Sequence, residues 1–253
     1  MSGPTSRERP LPRRALAVGA HPDDIELQAG ATLAKWAAAG CEVSLLICTD
    51  GSKGTWDPEA DLVALAATRA REAVDAARAL GATGEILLLG RVDGELENDR
   101  ATRSALAAHI RRLRPEVLLG HDPWQRYRLH PDHRAAGYLV CDALVAARDP
   151  HFFPEHGLAH HRPDALLLFE ADEPDHAEAV DDAHVAAKLA ALEQHRSQFR
   201  STMFIADDPN AVEGVDLDQL ERFRAEVHDT AVDVGRWAGV ARAERYRYLP
   251  TDR

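Results

Sequence analysis

Aromatic residues are scarce in this chain, 6% of 253 residues, and lysine is scarcer still, confined to Lys35, Lys53 and Lys188. A core with so few rings has to be aliphatic, built on Ala, Leu and Val. Cysteine is nearly absent: Cys41, Cys48 and Cys141 are odd in number, show no C-x-x-C spacing and sit in apolar stretches. That excludes a disulfide framework and points to free thiols in a reducing, cytoplasmic compartment. No run of about 18 apolar residues occurs, so no membrane span is expected. The short apolar run Ala15 to Ala20 is not long enough for a signal peptide. Basic charge is also in deficit, with 30 Lys and Arg against 42 Asp and Glu, a net charge of −12. Nucleic acid and anionic membrane surfaces are thereby excluded as partners. What remains, 45% apolar and 28% charged, is the profile of a soluble globular domain rather than a disordered, collagenous or membrane one.

The apolar segments alternate between strand and helix patterns. Strands are expected at Ala15 to Ala20, Glu42 to Cys48, Glu85 to Leu89, Glu116 to Leu119 and Ala165 to Phe169. Helices are expected at Leu27 to Ala39, from Asp57-Pro58 to Leu80, Arg100 to Arg114, Pro131 to Ala147 and Ala177 to Phe199. Strands separated by helices imply right-handed crossovers and a largely parallel sheet. The expectation is one α/β, Rossmann-like three-layer sandwich with its core at about 14–200. A small C-terminal appendage, about 201–253, holds a loop at 207–214, a helix at Asp218 to His228 and an edge strand at Arg242 to Leu249. The Ala-rich helices permit self-association.

In such a sheet ligands bind beyond the carboxyl ends of the strands, which selects the loops to inspect. His21, Asp23 and Asp24 fall together at the end of the first strand, where adjacent carboxylates can point different ways, one to a cation and one to water. His130 and His133 lie one turn apart at the start of a helix opened by Pro131. Imidazole and carboxylate together suit Zn(II) or Fe(II). Each motif alone reads equally well as a capped turn; their joint position at strand ends favours a site.

Ala20-His21-Pro22-Asp23-Asp24, Thr49-Asp50-Gly51-Ser52-Lys53-Gly54, Arg69-Ala70-Arg71-Glu72 and His130-Pro131-Asp132-His133, in that order, resemble the PIG-L/LmbE-like family of metal-dependent N-acetylglucosaminyl deacetylases. The resemblance implies a metal held by His21, Asp24 and His133, with Asp23 as general base. It implies that His130 stabilises the oxyanion or protonates the leaving amine. It places Arg69, Asp93, Tyr127 and His195 at the substrate, Tyr127 standing for the family's tyrosine before the second motif. Gln28 and Ala31 occupy positions where the family commonly has glycine.

The implied activity is removal of an N-acetyl group from an N-acetylglucosamine-type derivative, with one divalent metal, Zn(II) or Fe(II). Three alternatives stay open at this point: an amidase of the same family cleaving a thiol conjugate, an Fe(II) oxygenase built on the same two histidines and carboxylate, and a non-catalytic nucleotide-binding or regulatory module. Against the last, no G-x-G-x-x-G follows the first strand, and its acidic loop would repel pyrophosphate.

Overall fold

The computed structural model describes residues 3–208, 211 and 214–251. Within the segment expected as a loop, residues 209, 210, 212 and 213 therefore lie outside the described residues. The strands are β1 (Ser6–Arg7), β2 (Arg14–Gly19), β3 (Glu42–Thr49), β4 (Ile86–Arg91), β5 (Val117–His121), β6 (Ala165–Phe169), β7 (His176–Ala179) and β8 (Ala243–Pro250). They form one sheet in the order β1-β7-β8-β6-β5-β2-β3-β4. Every pairing is parallel except those of β8, which runs antiparallel to both β6 and β7.

Among the described residues six α-helices connect the strands: α1 (Asp24–Ala38), α2 (Leu62–Ala79), α3 (Arg100–Leu113), α4 (Pro131–Arg148), α5 (Asp182–Leu192) and α6 (Leu217–Ala238). The period-two alternation of β2 divides the core. Leu16 and Val18 pack with Leu106, Ile110 and Val140 of α3 and α4, while Ala15 and Ala17 pack with Ile25, Leu33 and Trp36 of α1. Both faces of the sheet are thus covered, as a parallel sheet requires. Among the described residues no helix is long and apolar enough to cross a membrane.

Three local expectations are corrected. The helix expected from Ala177 is instead β7 followed by α5, because Asp181 caps a helix that begins five residues later, with its side chain accepting from the His184 amide. The helical propensity of Ala177 and Ala179 yields to pairing with β8. Asp61, not Asp57, caps α2, accepting from the Val63 and Ala64 amides, while Asp57 closes a turn on Glu59. The terminal strand is interior rather than at an edge, lying between β7 and β6, and α6 extends to Ala238.

β8 also reaches across to α1. Glu244 accepts from the Ala31 amide at 3.2 Å and the Thr32 amide at 2.7 Å, in the middle of α1. Lys188 of α5 donates to Glu244 at 2.7 Å and to the Leu27 carbonyl at 2.7 Å, so a buried ion pair clamps the helix that opens the first motif. Gly30 makes room for it: a Cβ there would lie 2.9 Å from the Lys188 Cγ.

Candidate active site

The carboxyl ends of β2, β3, β4 and β5 and the start of α4 surround a cavity of about 470 Å³. His21 follows β2, and Thr49 of β3 and His121 of β5 hold the intervening Ala20. The Thr49 hydroxyl donates to its carbonyl at 2.9 Å, and its amide points at His121 Nε2 at 3.2 Å. Asp23 takes a left-handed backbone (φ 99°) immediately before α1, a conformation that costs energy for a non-glycine residue and turns the two consecutive carboxylates apart.

His21, Asp24 and His133, 112 residues apart along the chain at the extremes, converge. His133 Nε2 lies 3.2 Å from His21 Nδ1, Asp24 Oδ2 lies 3.3 Å from His21 Nδ1, and Asp24 Oδ1 lies 3.4 Å from His133 Nε2. Donors arranged tetrahedrally about a zinc ion at ordinary bond lengths stand about 3.3 Å apart; the two imidazole nitrogens meet that spacing and the Asp24 carboxylate turns one oxygen to each of them, and both His21/His130/His133 and Asp24/His121/His133 are close enough together to hold an ion. The His121 ring adds a second indication. Ala20 directs an N–H at His121 Nε2, leaving Asp24 Oδ2, 3.2 Å from the same nitrogen, opposite a lone pair. A cation on Asp24 relieves that opposition.

His21 Nε2, the nitrogen facing away from this cluster, donates to Asp132 at 3.1 Å and lies 3.2 Å from Asp93. Those two carboxylates are fixed in turn, Asp132 by the Gly94 and Leu96 amides and Asp93 by the Lys53 amide. A carboxylate behind a ligating imidazole orients the ring and strengthens its donor nitrogen. Burial alone would lower the His21 pKa, but hydrogen bonds to Asp132, Asp24 and Asp93 push it up to about 12. Without a cation, a proton occupies the same space between His21 and Asp24. His133 is the reverse: burial brings it down to about 3, keeping it neutral and able to ligate.

Asp23 stands apart from these donors. It is 4% exposed, its Oδ2 has no hydrogen-bond partner, and the Arg69 guanidinium lies 3.4 Å away. Burial lifts its pKa to about 6, against the Arg69 charge and with help from Asp24. His130 borders the same cavity, and its Nδ1 accepts the Asp132 amide at 3.3 Å as the cap of α4. That assigns the proton of the neutral ring to Nε2 as a free donor. Burial and the neighbouring His21 lower its pKa, which keeps it neutral at pH 7.

The remaining expected residues divide. Arg69 lines the cavity, donating to the Gly51 carbonyl at 2.8 Å and the Pro22 carbonyl at 2.5 Å. Asp93 lines it too, although both its oxygens are engaged with the protein. Tyr127 is 94% exposed and outside the lining, because its left-handed backbone (φ 61°) turns the side chain to solvent. His195 is fully buried rather than facing the cavity, with Nε2 3.6 Å from Glu26 Oε2. Two residues at strand ends, His121 and Glu170, and the cavity-lining Gln198 are not among the expected site residues; His121 opens a loop that the strand-end rule selects and Gln198 closes the stretch Lys188 to Gln198 that resembles a family helix, while Glu170 has no such signal.

The GlcNAc-PI de-N-acetylase model, PIG-L, matches residues 16–144, the span from β2 through most of α4 and so all of the donor cluster. A diacetylchitobiose deacetylase from Thermococcus kodakarensis is 32% identical over 241 residues, 94% of this chain and 84% of its own length. The chain belongs to the PIG-L family. A 1D-myo-inositol 2-acetamido-2-deoxy-alpha-D-glucopyranoside deacetylase from Catenulispora acidiphila is 39% identical over 181 residues, 62% of this chain and 56% of its own length. Among solved structures, the N,N'-diacetylchitobiose deacetylase of Pyrococcus horikoshii, complexed with its inhibitor MPG, superimposes with a TM-score of 0.81 at 29% identity. It covers 95% of this chain and 85% of its own. The α/β fold read from the sequence is therefore that of PIG-L deacetylases.

Proposed function

We propose that this PIG-L protein is a zinc-dependent hydrolase that removes the acetyl group from an N-acetylglucosamine-type amino sugar, releasing acetate and a free amine. One observation carries the reading: His21 and His133, 3.2 Å apart, each face one oxygen of the Asp24 carboxylate, at 3.3 and 3.4 Å, and share a cavity with a buried, unpartnered carboxylate oxygen on Asp23. The deacetylase relatives named above support the substrate class. Three protein ligands leave coordination positions open, as catalytic sites do. Fe(II) fits the same donor set.

A cation held by His21, Asp24 and His133 would polarise the acetamide carbonyl and lower the pKa of water towards 7. The chain's own groups do the rest. Asp23, its basicity raised by burial, takes the proton from the attacking water. His130 Nε2–H donates to the oxygen that becomes negative; a preorganised donor of this kind is worth about 3–4 kcal/mol. Arg69 keeps Asp23 ionised and aimed. As the C–N bond breaks, the proton held on Asp23 passes to the departing amine, restoring the carboxylate. The free thiols of buried Cys41 and Cys48 favour a cytoplasmic setting.

The test is acetate release from N-acetylglucosamine and N,N'-diacetylchitobiose by zinc-loaded protein, with chelated protein beside it. Zinc-dependent release supports the assignment, and a zinc-loaded protein inert on both overturns this substrate class.

A further inference from the structure

Glu170 is the first residue beyond β6, and parallel pairing of His121 with Phe169 sets it beside the end of β5. Its backbone is left-handed (φ 59°), an unfavourable conformation for a glutamate. Such strain persists only where the surroundings impose it, and here it aims the carboxylate into the cavity. One oxygen, Oε2, then serves three partners. It accepts from His121 Nδ1 at 2.7 Å, pairs with the Arg128 guanidinium and lies 3.6 Å from His133 Nδ1. His133 Nδ1 is buried and has no hydrogen-bond partner.

We infer that Glu170 is a positioning residue of the metal site, fixing the tautomer and orientation of His133 and His121 through a single carboxylate oxygen. The inference rests on the metal reading above and extends it to a residue outside every motif. For Nε2 of His133 to face Asp24 and His21 as a ligand, its proton must sit on Nδ1, and the carboxylate oxygen that faces that nitrogen is Glu170 Oε2, at 3.6 Å an electrostatic rather than a hydrogen-bonded contact. The same oxygen holds the proton of His121 on Nδ1, which leaves Nε2 to accept the Ala20 amide that anchors the first motif. Glu170 thus acts on both sides of Asp24. His21 has Asp132 and Asp93 behind it, and Glu170 is the corresponding support for His133.

The experiment is zinc(II) affinity by competition with a chromophoric chelator, on the full chain, for wild type, Glu170→Gln and Arg128→Gln. Glu170→Gln is expected to weaken zinc binding about 10- to 100-fold. Arg128→Gln, which breaks the same ion pair but leaves the carboxylate facing both imidazoles, is expected to bind zinc as well as wild type. At saturating zinc the Glu170→Gln enzyme should regain most of its kcat with an unchanged KM. Unchanged zinc affinity in Glu170→Gln overturns the inference, as does an equal loss in both variants, which would make Glu170 only an anchor for the 124–130 loop. Should Glu170→Gln fail to fold, Glu170→Asp serves, its shorter reach giving a weaker site; wild-type affinity there is again contrary. Wild type that binds no zinc would instead overturn the metal reading itself.

Discussion

Arg69 and Asp23 form a buried pair in which the cation is better held than the anion. The guanidinium is anchored on the Gly51 and Pro22 carbonyls, whereas Asp23 Oδ2 has no hydrogen-bond partner and meets Arg69 at 3.4 Å. This geometry favours a carboxylate that stays charged while remaining free to accept a proton. Replacing Arg69 by Met should lower kcat/KM for acetate release about 10- to 100-fold, the worth of a lost cation beside a buried carboxylate. Initial rates on zinc-loaded protein check this, and wild-type rates would remove Arg69 from the mechanism.

Asp23→Asn should separate chemistry from metal binding. The amide keeps the shape of the carboxylate and cannot take a proton, so turnover should fall by about 10²- to 10⁴-fold. Zinc content, measured by elemental analysis, should stay at the wild-type level. His133→Ala should do the opposite and lose the metal. A Asp23→Asn protein that releases acetate at the wild-type rate would exclude it as the base.

Gly54 lies against Arg69, and a Cβ there would stand 2.2 Å from Nη1 and 2.7 Å from Gln198 Oε1. Gly54→Ala should therefore displace the guanidinium and reproduce much of the Arg69→Met defect in kcat/KM. Combining the two changes should cost less than the product of the separate losses, because both act through one side chain.

Arg111 has a purely structural counterpart of this role. It is 3% exposed and donates to the carbonyls of Ala146, Ala147, Asp149, Phe152 and Phe153, closing the end of α4 without any carboxylate. Arg111→Met should destabilise the fold by about 3 kcal/mol through carbonyls left buried and unpaired. For a chain of this size that corresponds to a Tm lower by roughly 6–12 °C. Activity at 25 °C should persist, since α4 carries the site at its other end.

Glu178 gives a pH-dependent test of stability. It is fully buried and, although burial alone would raise its pKa, His176, the Arg9 amide and Lys35 hold it below the usual 4.5. A depressed carboxyl pKa stabilises the folded state above its unfolded value and loses that contribution as pH falls through the folded one. The Tm difference between wild type and Glu178→Gln should therefore be full at pH 7 and shrink below about pH 4.5. A constant difference would remove the linkage.

The sheet and most of the donor cluster were legible because both rest on local signals. His21-Pro22 ends a strand, Pro131 opens a helix, and each places its histidine within a few residues of the turn that aims it. Glu170, His121 and the Lys188–Glu244 clamp left no such trace, because each acts through partners 37 or more residues away. Tyr127 and His195 show the converse. Their positions relative to the motifs were suggestive, but a left-handed backbone at Tyr127 and complete burial at His195 decide where the side chains go. β7 was hidden by its alanines, whose helical preference is overridden once β8 offers an unpaired strand.

The clamp of Glu244 on α1 also fixes an order of events during synthesis. Residues 31 and 32 leave the ribosome more than two hundred residues before the carboxylate that binds their amides. Until β8 emerges, α1 carries His21, Asp23 and Asp24 at its start without its final support, and the contact that completes it is among the most distant in the chain. The helix that follows the first motif thus gains its final support only after residue 244 has been made.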